Sequence, residues 1–277
     1  MGEVLGQPAT ASFSSQTVVG SDPASSPFHC PFIDARCVKR STSLRDEPYP
    51  ICSIRRKVDN QMKYICVCPK RFHAVDFIDD VIRHCWPGKP PTNPRVASEV
   101  KLKGFGTVDF VIADIAQGGE ISNFLSVELQ AVDITGSVMP AYTALREAKK
   151  LKRRPTFGLN LANVYKRYVT QLIRKGYTCH RWKTKIVAVM QDVLFDYICE
   201  FAEFMRSPDV KARPVNIIFM VYRYDDDPTQ VGAQQLVLSK VEGTSHANLQ
   251  QAVLYKEPPS REDFCNQIVS ALDRPSR

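Results

Sequence analysis

Apolar positions along the chain change period several times, and each change marks an element. Between Ala74 and Trp86, Val75, Ile78, Ile82 and Trp86 recur at helical spacing, and Pro87-Gly88 stops the run. A proline-rich connection, KPPTNP, follows. Two segments rich in Val, Ile and Phe, 107–115 and 123–134, read as strands, and Gln117-Gly118-Gly119-Glu120 supplies the turn of a hairpin. Helical period returns at 161–175, with Leu161, Val164, Tyr168 and Leu172 on one face and Gly176 as the stop. KIVAVM reads as a short strand, 192–206 as a helix and NIIFMVYRY at 216–224 as a buried strand. Helical or mixed elements complete the chain, ending near 261–272. Helices around a central sheet predict an α/β or α+β core.

The first part of the chain follows no such period. Residues 1–27 are rich in Ser, Thr, Ala and Gly and read as a poorly ordered tail. Residues 28–72 hold several prolines and short apolar pieces such as ICSI and YICVC, too broken for a core of their own, so that this segment needs a staple. Residues 73–277 remain as one domain, consistent with a chain of 277 residues that buries one substantial core and a small satellite. No run of about 18 apolar residues exists that would span a membrane. The start lacks a secretory signal's basic and apolar regions, and Gly6 breaks the myristoylation pattern, so a cytoplasmic protein is expected.

In a reducing compartment the nine cysteines are not read as disulfides. Cys85, Cys179, Cys199 and Cys265 are scattered and read as small buried hydrophobes. Cys30, Cys37, Cys52, Cys66 and Cys68 crowd the least core-like stretch. Four thiolates, Cys30-x6-Cys37-x14-Cys52-x15-Cys68, suit a tetrahedral zinc or iron ion. Cys66 is the fifth candidate, and Cys68 is preferred because Pro69 turns the chain after it.

The sharpest chemistry lies on the predicted hairpin. Asp109 faces away from Val108 and Phe110, and Glu128 and Gln130 share the face opposite Leu125, Val127, Leu129 and Ala131. Ionised carboxylates on apolar strands require a partner, and Mg²⁺ is commonly held by one or two carboxylates with waters and phosphate oxygens. The spacing D-x18-E-x-Q matches a nuclease signature, with Gln130 where a lysine is usual. A solvated sheet face carrying the same acids is the plain alternative.

Charge adds a partner. Lys and Arg number 37 against 29 Asp and Glu, a formal net charge of +8 that suits a polyanion. The run Lys149, Lys150, Lys152, Arg153 and Arg154 is placed against a phosphate backbone, or else forms a solvated helix end. Lys166, Arg167, Arg174 and Lys175 allow the same two readings.

Both halves together resemble the NotI-type restriction endonucleases. The phrases that carry the resemblance are CPFIDARCVKRS at 30–41, CSIRRK at 52–57, CPKRF at 68–72, SEVKLKGFGTVDFVIAD at 98–114, VELQAVDITG at 127–136 and GLNLANVYKRYVTQLIRKG at 158–176. The resemblance implies a PD-(D/E)xK fold, a four-cysteine iron module, and a homodimer cutting double-stranded DNA at a palindromic, GC-rich site. Through it Asp109, Glu128 and Gln130 match the catalytic motif, Glu99 an additional acidic residue, and Cys30, Cys37, Cys52 and Cys68 the metal ligands. Asp109 and Glu128 would hold Mg²⁺, and Gln130 would orient water. The competing readings are a DNA-binding regulator without catalysis and a structure-specific repair nuclease.

Overall fold

The computed structural model describes residues 1–9, 28–40, 46–147, 149, 156–255 and 258–273. A six-stranded mixed sheet organises it. Strands β7 (Pro94–Leu102), β8 (Gly106–Ile115) and β9 (Ile121–Gln130) form an antiparallel meander. Strand β12 (Lys185–Gln191) pairs parallel with β9, β13 (Ile217–Asp226) parallel with β12, and β14 (Gln234–Thr244) antiparallel with β13. The spatial order is β14-β13-β12-β9-β8-β7. Every residue of β12 is buried, as a central strand covered on both faces must be.

On one face lie α1 (Phe77–Cys85) and a 3₁₀ turn at Pro69–Ala74; on the other lie α3 (Leu161–Arg181) and α4 (Asp192–Phe201). The shorter α2 (Met139–Arg146), α5 (His246–Leu254) and α6 (Arg261–Leu272) complete the helices among the described residues. The architecture is a mixed α/β fold with a mainly β core, compatible with a restriction endonuclease. None of the described helices is long and apolar enough to cross a membrane.

The N-terminal part holds a second sheet. Strand β1 (Glu3–Val4) pairs with β2 (Gln7–Pro8) and with β5 (Ile51–Val58), which pairs with β6 (Gln61–Cys66). A small hairpin, β3 (His29–Cys30) with β4 (Ala35–Arg36), stands beside it. Residues 1–9 thus belong to the fold and not to a tail, while 10–27 lie outside the described residues. A buried ion pair fastens them: Arg71 Nη2 lies 2.9 Å from Glu3 Oε1, and both side chains are nearly inaccessible. The 28–72 segment also shares its core with the rest of the chain. Ile51, Ile54 and Ile65 join one apolar cluster with Tyr142, Tyr168, Met190 and Phe219. Gln191 stitches the two sheets, accepting from Cys66 N at 2.8 Å and donating to Tyr64 O at 2.7 Å.

Three predicted features are corrected. Helix α1 begins only after its N-cap Asp76 and buries Phe77, Val81 and Cys85, so the stripe sits one position before Ile78 and Ile82. Gly176 does not end α3, which continues to Arg181. A Cβ at Gly176 would lie 2.7 Å from Ile217 Cγ1, so the glycine is there for close helix–sheet contact. Strand β7 begins at the last residue of the proline-rich connection and runs through a stretch for which no element is read from sequence, and β14 stands where helical or mixed elements are read. A further pairing, β10 (Ile134–Thr135) with β11 (Gly158–Leu159), lies beyond the end of β9 at Gln130.

Candidate active site

Three predicted carboxylates stand in one rank across three neighbouring strands. Ser98↔Phe110 and Val100↔Val108 bracket Glu99 of β7 and Asp109 of β8, and both residues line one cavity. The pairing of β8 with β9 ends at Phe110↔Val127, immediately before Asp109 and Glu128, and the charge of Asp109 acts on Glu128. There β8 and β9 part, and the Leu129 N–H is taken up by Asp109 Oδ2 at 2.8 Å. A side chain thus satisfies a ladder donor, which leaves an irregular, polar spot in the middle of a sheet. Glu99 adopts φ +54, a left-handed conformation uncommon for a side-chain-bearing residue.

The acids have different surroundings. Glu99 is exposed on the edge strand. Together with half-buried Asp109 it lines a cavity of about 300 Å³ that also admits Lys70, His73 and Ser98. Glu128 is only 5 % exposed and points towards α3. Its Oε2 accepts from Gln171 Nε2 at 3.1 Å, and its Oε1 forms an ion pair with Lys175. Burial pushes the Glu128 carboxyl up to about 7. Lys175 and Gln171 offset that rise only in part, and the charge of Asp109 adds to it. Gln130 makes no hydrogen bond with this group, its Nε2 donating to Ala131 O at 2.6 Å.

Helix α3 contributes what the sequence reading missed. Tyr168, Gln171 and Lys175 succeed one another at helical spacing on the side facing β9. The Tyr168 hydroxyl is buried without a hydrogen-bond partner among the described residues. Burial raises its pKa, and the charges of Glu128 and Asp109 raise it further. The available signal was a lysine on an otherwise apolar helical stripe, since a buried cation requires a partner.

Among the described residues no three His, Cys, Asp or Glu side chains are arranged to hold an ion. For Mg²⁺ this is compatible with the rank of acids, because waters and phosphate supply most of its ligands. For the cysteines the donor chemistry fits a soft ion, and Cys30, Cys37, Cys52 and Cys68 lie near enough for their charges to act on one another in pairs. Cys30 ends β3 and Cys37 follows β4, where Cys37 N donates to Phe28 O at 2.9 Å. Cys52 is brought beside Cys68 by the bond from Val67 N to Cys52 O at 3.0 Å. Burial raises the thiols of Cys37 and Cys52, and the charge of Cys68 acts on both. The Lys39 ammonium is held in this region by Ile51 O and Val67 O, each at 2.7 Å. Cys66 is fully buried in the other apolar cluster and donates to Cys68 O at 3.2 Å.

Of the basic run, Lys149 is exposed and pairs with Glu147 at 2.8 Å, while Lys150, Lys152, Arg153 and Arg154 lie outside the described residues. Arg167 pairs with Asp133 at 3.1 Å on the exposed side of α3.

No individual characterised protein matches the sequence. The sequence profile of the family described as Restriction endonuclease NotI matches residues 20–236, which include every strand of the meander, the rank of acids and all of α3. Most of the chain is covered by one continuous match, and the protein belongs to the NotI family of restriction endonucleases, enzymes that act on DNA.

Proposed function

We propose that this protein is a type II restriction endonuclease that hydrolyses phosphodiester bonds of double-stranded DNA at a specific palindromic, GC-rich site. It requires Mg²⁺ and works as a homodimer, with a PD-(D/E)xK-type centre. Asp109 and Glu128 are the Mg²⁺ ligands, and Glu99 completes the acidic shell. Mg²⁺, when bound, polarises the phosphoryl oxygen and lowers the pKa of water. The observation that carries this reading is the rank of Glu99, Asp109 and Glu128 across β7, β8 and β9, at the point where β8 and β9 part. Gln130 is placed on the same strand as Glu128 and has a positional role. Cys30, Cys37, Cys52 and Cys68 bind one iron or zinc ion that is structural. Their thiolates are soft ligands, unsuited to the catalytic Mg²⁺.

Incubation of a long DNA of known sequence with the full chain, in Mg²⁺ and in EDTA, tests the reading. Discrete Mg²⁺-dependent fragments with a common end sequence are expected, and Asp109→Asn abolishes them. Binding without cleavage would identify a regulator, and nicking without sequence preference a structure-specific nuclease. Elemental analysis should find about one iron or zinc per chain, the content of a single four-thiolate site.

A further inference from the structure

The Gln130 amide is committed to the carbonyl of Ala131 and makes no hydrogen bond to Glu128. The ammonium of this centre comes instead from a helix. Lys175 of α3 forms an ion pair with Glu128 and donates to Thr107 O at 2.5 Å. Resting on the nuclease reading above, we propose that Lys175 is the catalytic ammonium of the site, supplied by α3 in place of a lysine at position 130, and that it meets the phosphate being cut.

The environment of Lys175 supports this placement. It is 4 % exposed and stands on a stripe of α3 whose other buried members include Val164, Tyr168, Leu172 and Cys179. An ammonium in such a place is costly unless paired, and here its carboxylate partner is Glu128 of β9. A turn carries the backbone over the lysine stem, with φ +87 at Gly104 and +100 at Gly106, conformations that favour glycine. Between them the Phe105 ring centroid lies 5.8 Å from Nζ.

Lys175 also lines an open cavity of about 480 Å³ with Thr107, Arg167, Gln171 and Arg174. Of the cations around this cavity Arg167 is paired with Asp133 and Lys175 with Glu128, and Arg174 adds a further guanidinium that suits a nucleic-acid phosphate. The lysine therefore touches both Glu128 and this cavity. In hydrolysis a water oxygen bonds to phosphorus and gives up a proton to solvent, the bond from phosphorus to the leaving oxygen breaks, and that oxygen takes a proton from solvent. Negative charge builds on the phosphoryl oxygens meanwhile. Lys175 neutralises it without transferring a proton.

The test compares wild type, Lys175→Met, Lys175→Gln and Gln130→Lys/Lys175→Met as full-length proteins on a long DNA of known sequence. Single-turnover cleavage in Mg²⁺, DNA affinity in Ca²⁺ and thermal melting are measured. Lys175→Met should cleave at least about 100-fold more slowly, as expected when one preorganised charge is lost. Its DNA affinity should stay near wild type. Returning an ammonium to the site from β9, in the double variant, should restore roughly tenfold or more.

Where Lys175→Met does not fold, Lys175→Gln, which keeps hydrogen bonds to Glu128 and Thr107, carries the comparison, with Gln130→Lys/Lys175→Gln as its rescue. Near-wild-type rates, absent rescue, a parallel loss of DNA affinity, or failure of both single variants to fold would each overturn the proposal and leave a structural ion pair. A wild-type protein that cuts no DNA would instead overturn the nuclease reading itself.

Discussion

Replacing Glu3 by Ala should cost this protein a large part of its stability, although the residue belongs to a strand of only two residues. Its carboxylate is 1 % exposed and receives Arg71 in a fork, with Nε at 3.2 Å from both oxygens and Nη2 at 2.9 Å from Oε1. Tyr224 donates to Oε2 at 2.9 Å, and Arg71 spends one further N–H on Gln234 O at 2.7 Å. The guanidinium carbon also lies 5.0 Å from the Phe32 ring centroid and 5.4 Å from that of Tyr224. Deleting the carboxylate leaves a buried cation with one carbonyl and two ring faces. Breaking a buried pair from one side costs about 3–5 kcal/mol. At about 2 °C or more per kcal/mol for a chain of this size, the melting midpoint should fall by roughly 6–10 °C or more. Differential scanning calorimetry of Glu3→Ala and of a protein lacking residues 1–9 checks this. Glu3→Ala/Arg71→Met should be less unstable than the two single losses combined, because the stranded charge is gone. A drop of under about 1 kcal/mol for Glu3→Ala, the size of an exposed pair, would refute the docking of β1 against Arg71.

Two further outcomes follow from the core and the site. Gly176→Ala gains up to about 1 kcal/mol of helix propensity but drives a Cβ to 2.7 Å from Ile217, itself fully buried. Overpacking costs about 1–3 kcal/mol, so chemical denaturation should show net destabilisation, and a more stable variant would contradict the close contact. In EDTA, the raised Glu128 carboxyl means that the folded state holds one more proton than the unfolded state between the ordinary carboxylate range and about pH 7. Its contribution is present at low pH and is lost as pH rises through that window, by an amount on the order of 3 kcal/mol. Glu128→Gln lacks this decline, and a pH-independent difference between the two proteins would show that the carboxylate stays ionised throughout.

The parts of the fold legible in the sequence are those whose periods report burial. β12 and β13 are continuous apolar runs because they are covered on both sides, and the hairpin of β8 and β9 carries its turn in a Gly-Gly pair. β7 left no such trace. All nine of its residues are exposed on a sheet edge, and Pro94 at its start is the sort of residue an edge tolerates. The β1 strand escaped notice for another reason. Two residues carry no period, and what holds them is a pairing between Glu3 and Arg71 across 68 positions. Gly176 was legible as a special position but not as to its kind, since a stop and a close approach call for the same residue.

The site divides along the same line. Asp109 and Glu128 interrupt otherwise apolar strands, so the local pattern alone marks them, and both follow the last pair of β8 with β9. Glu99 lies on a strand without alternation, and only family resemblance drew attention to it. Lys175 is intermediate. Its helix face is apolar at Val164, Tyr168, Leu172 and Cys179, and a lysine among them is anomalous by the same rule that marks the acids. Reading the cations of α3 together as a solvated or phosphate-facing set hid that difference. Arg167 does stand exposed beside Asp133, whereas Lys175 is buried against Glu128. Cations on one helix therefore have to be sorted by face before they are assigned a partner. The face that α3 turns to β9 brings its lysine to the acidic rank, while the exposed face carries Arg167 into the cavity beside it.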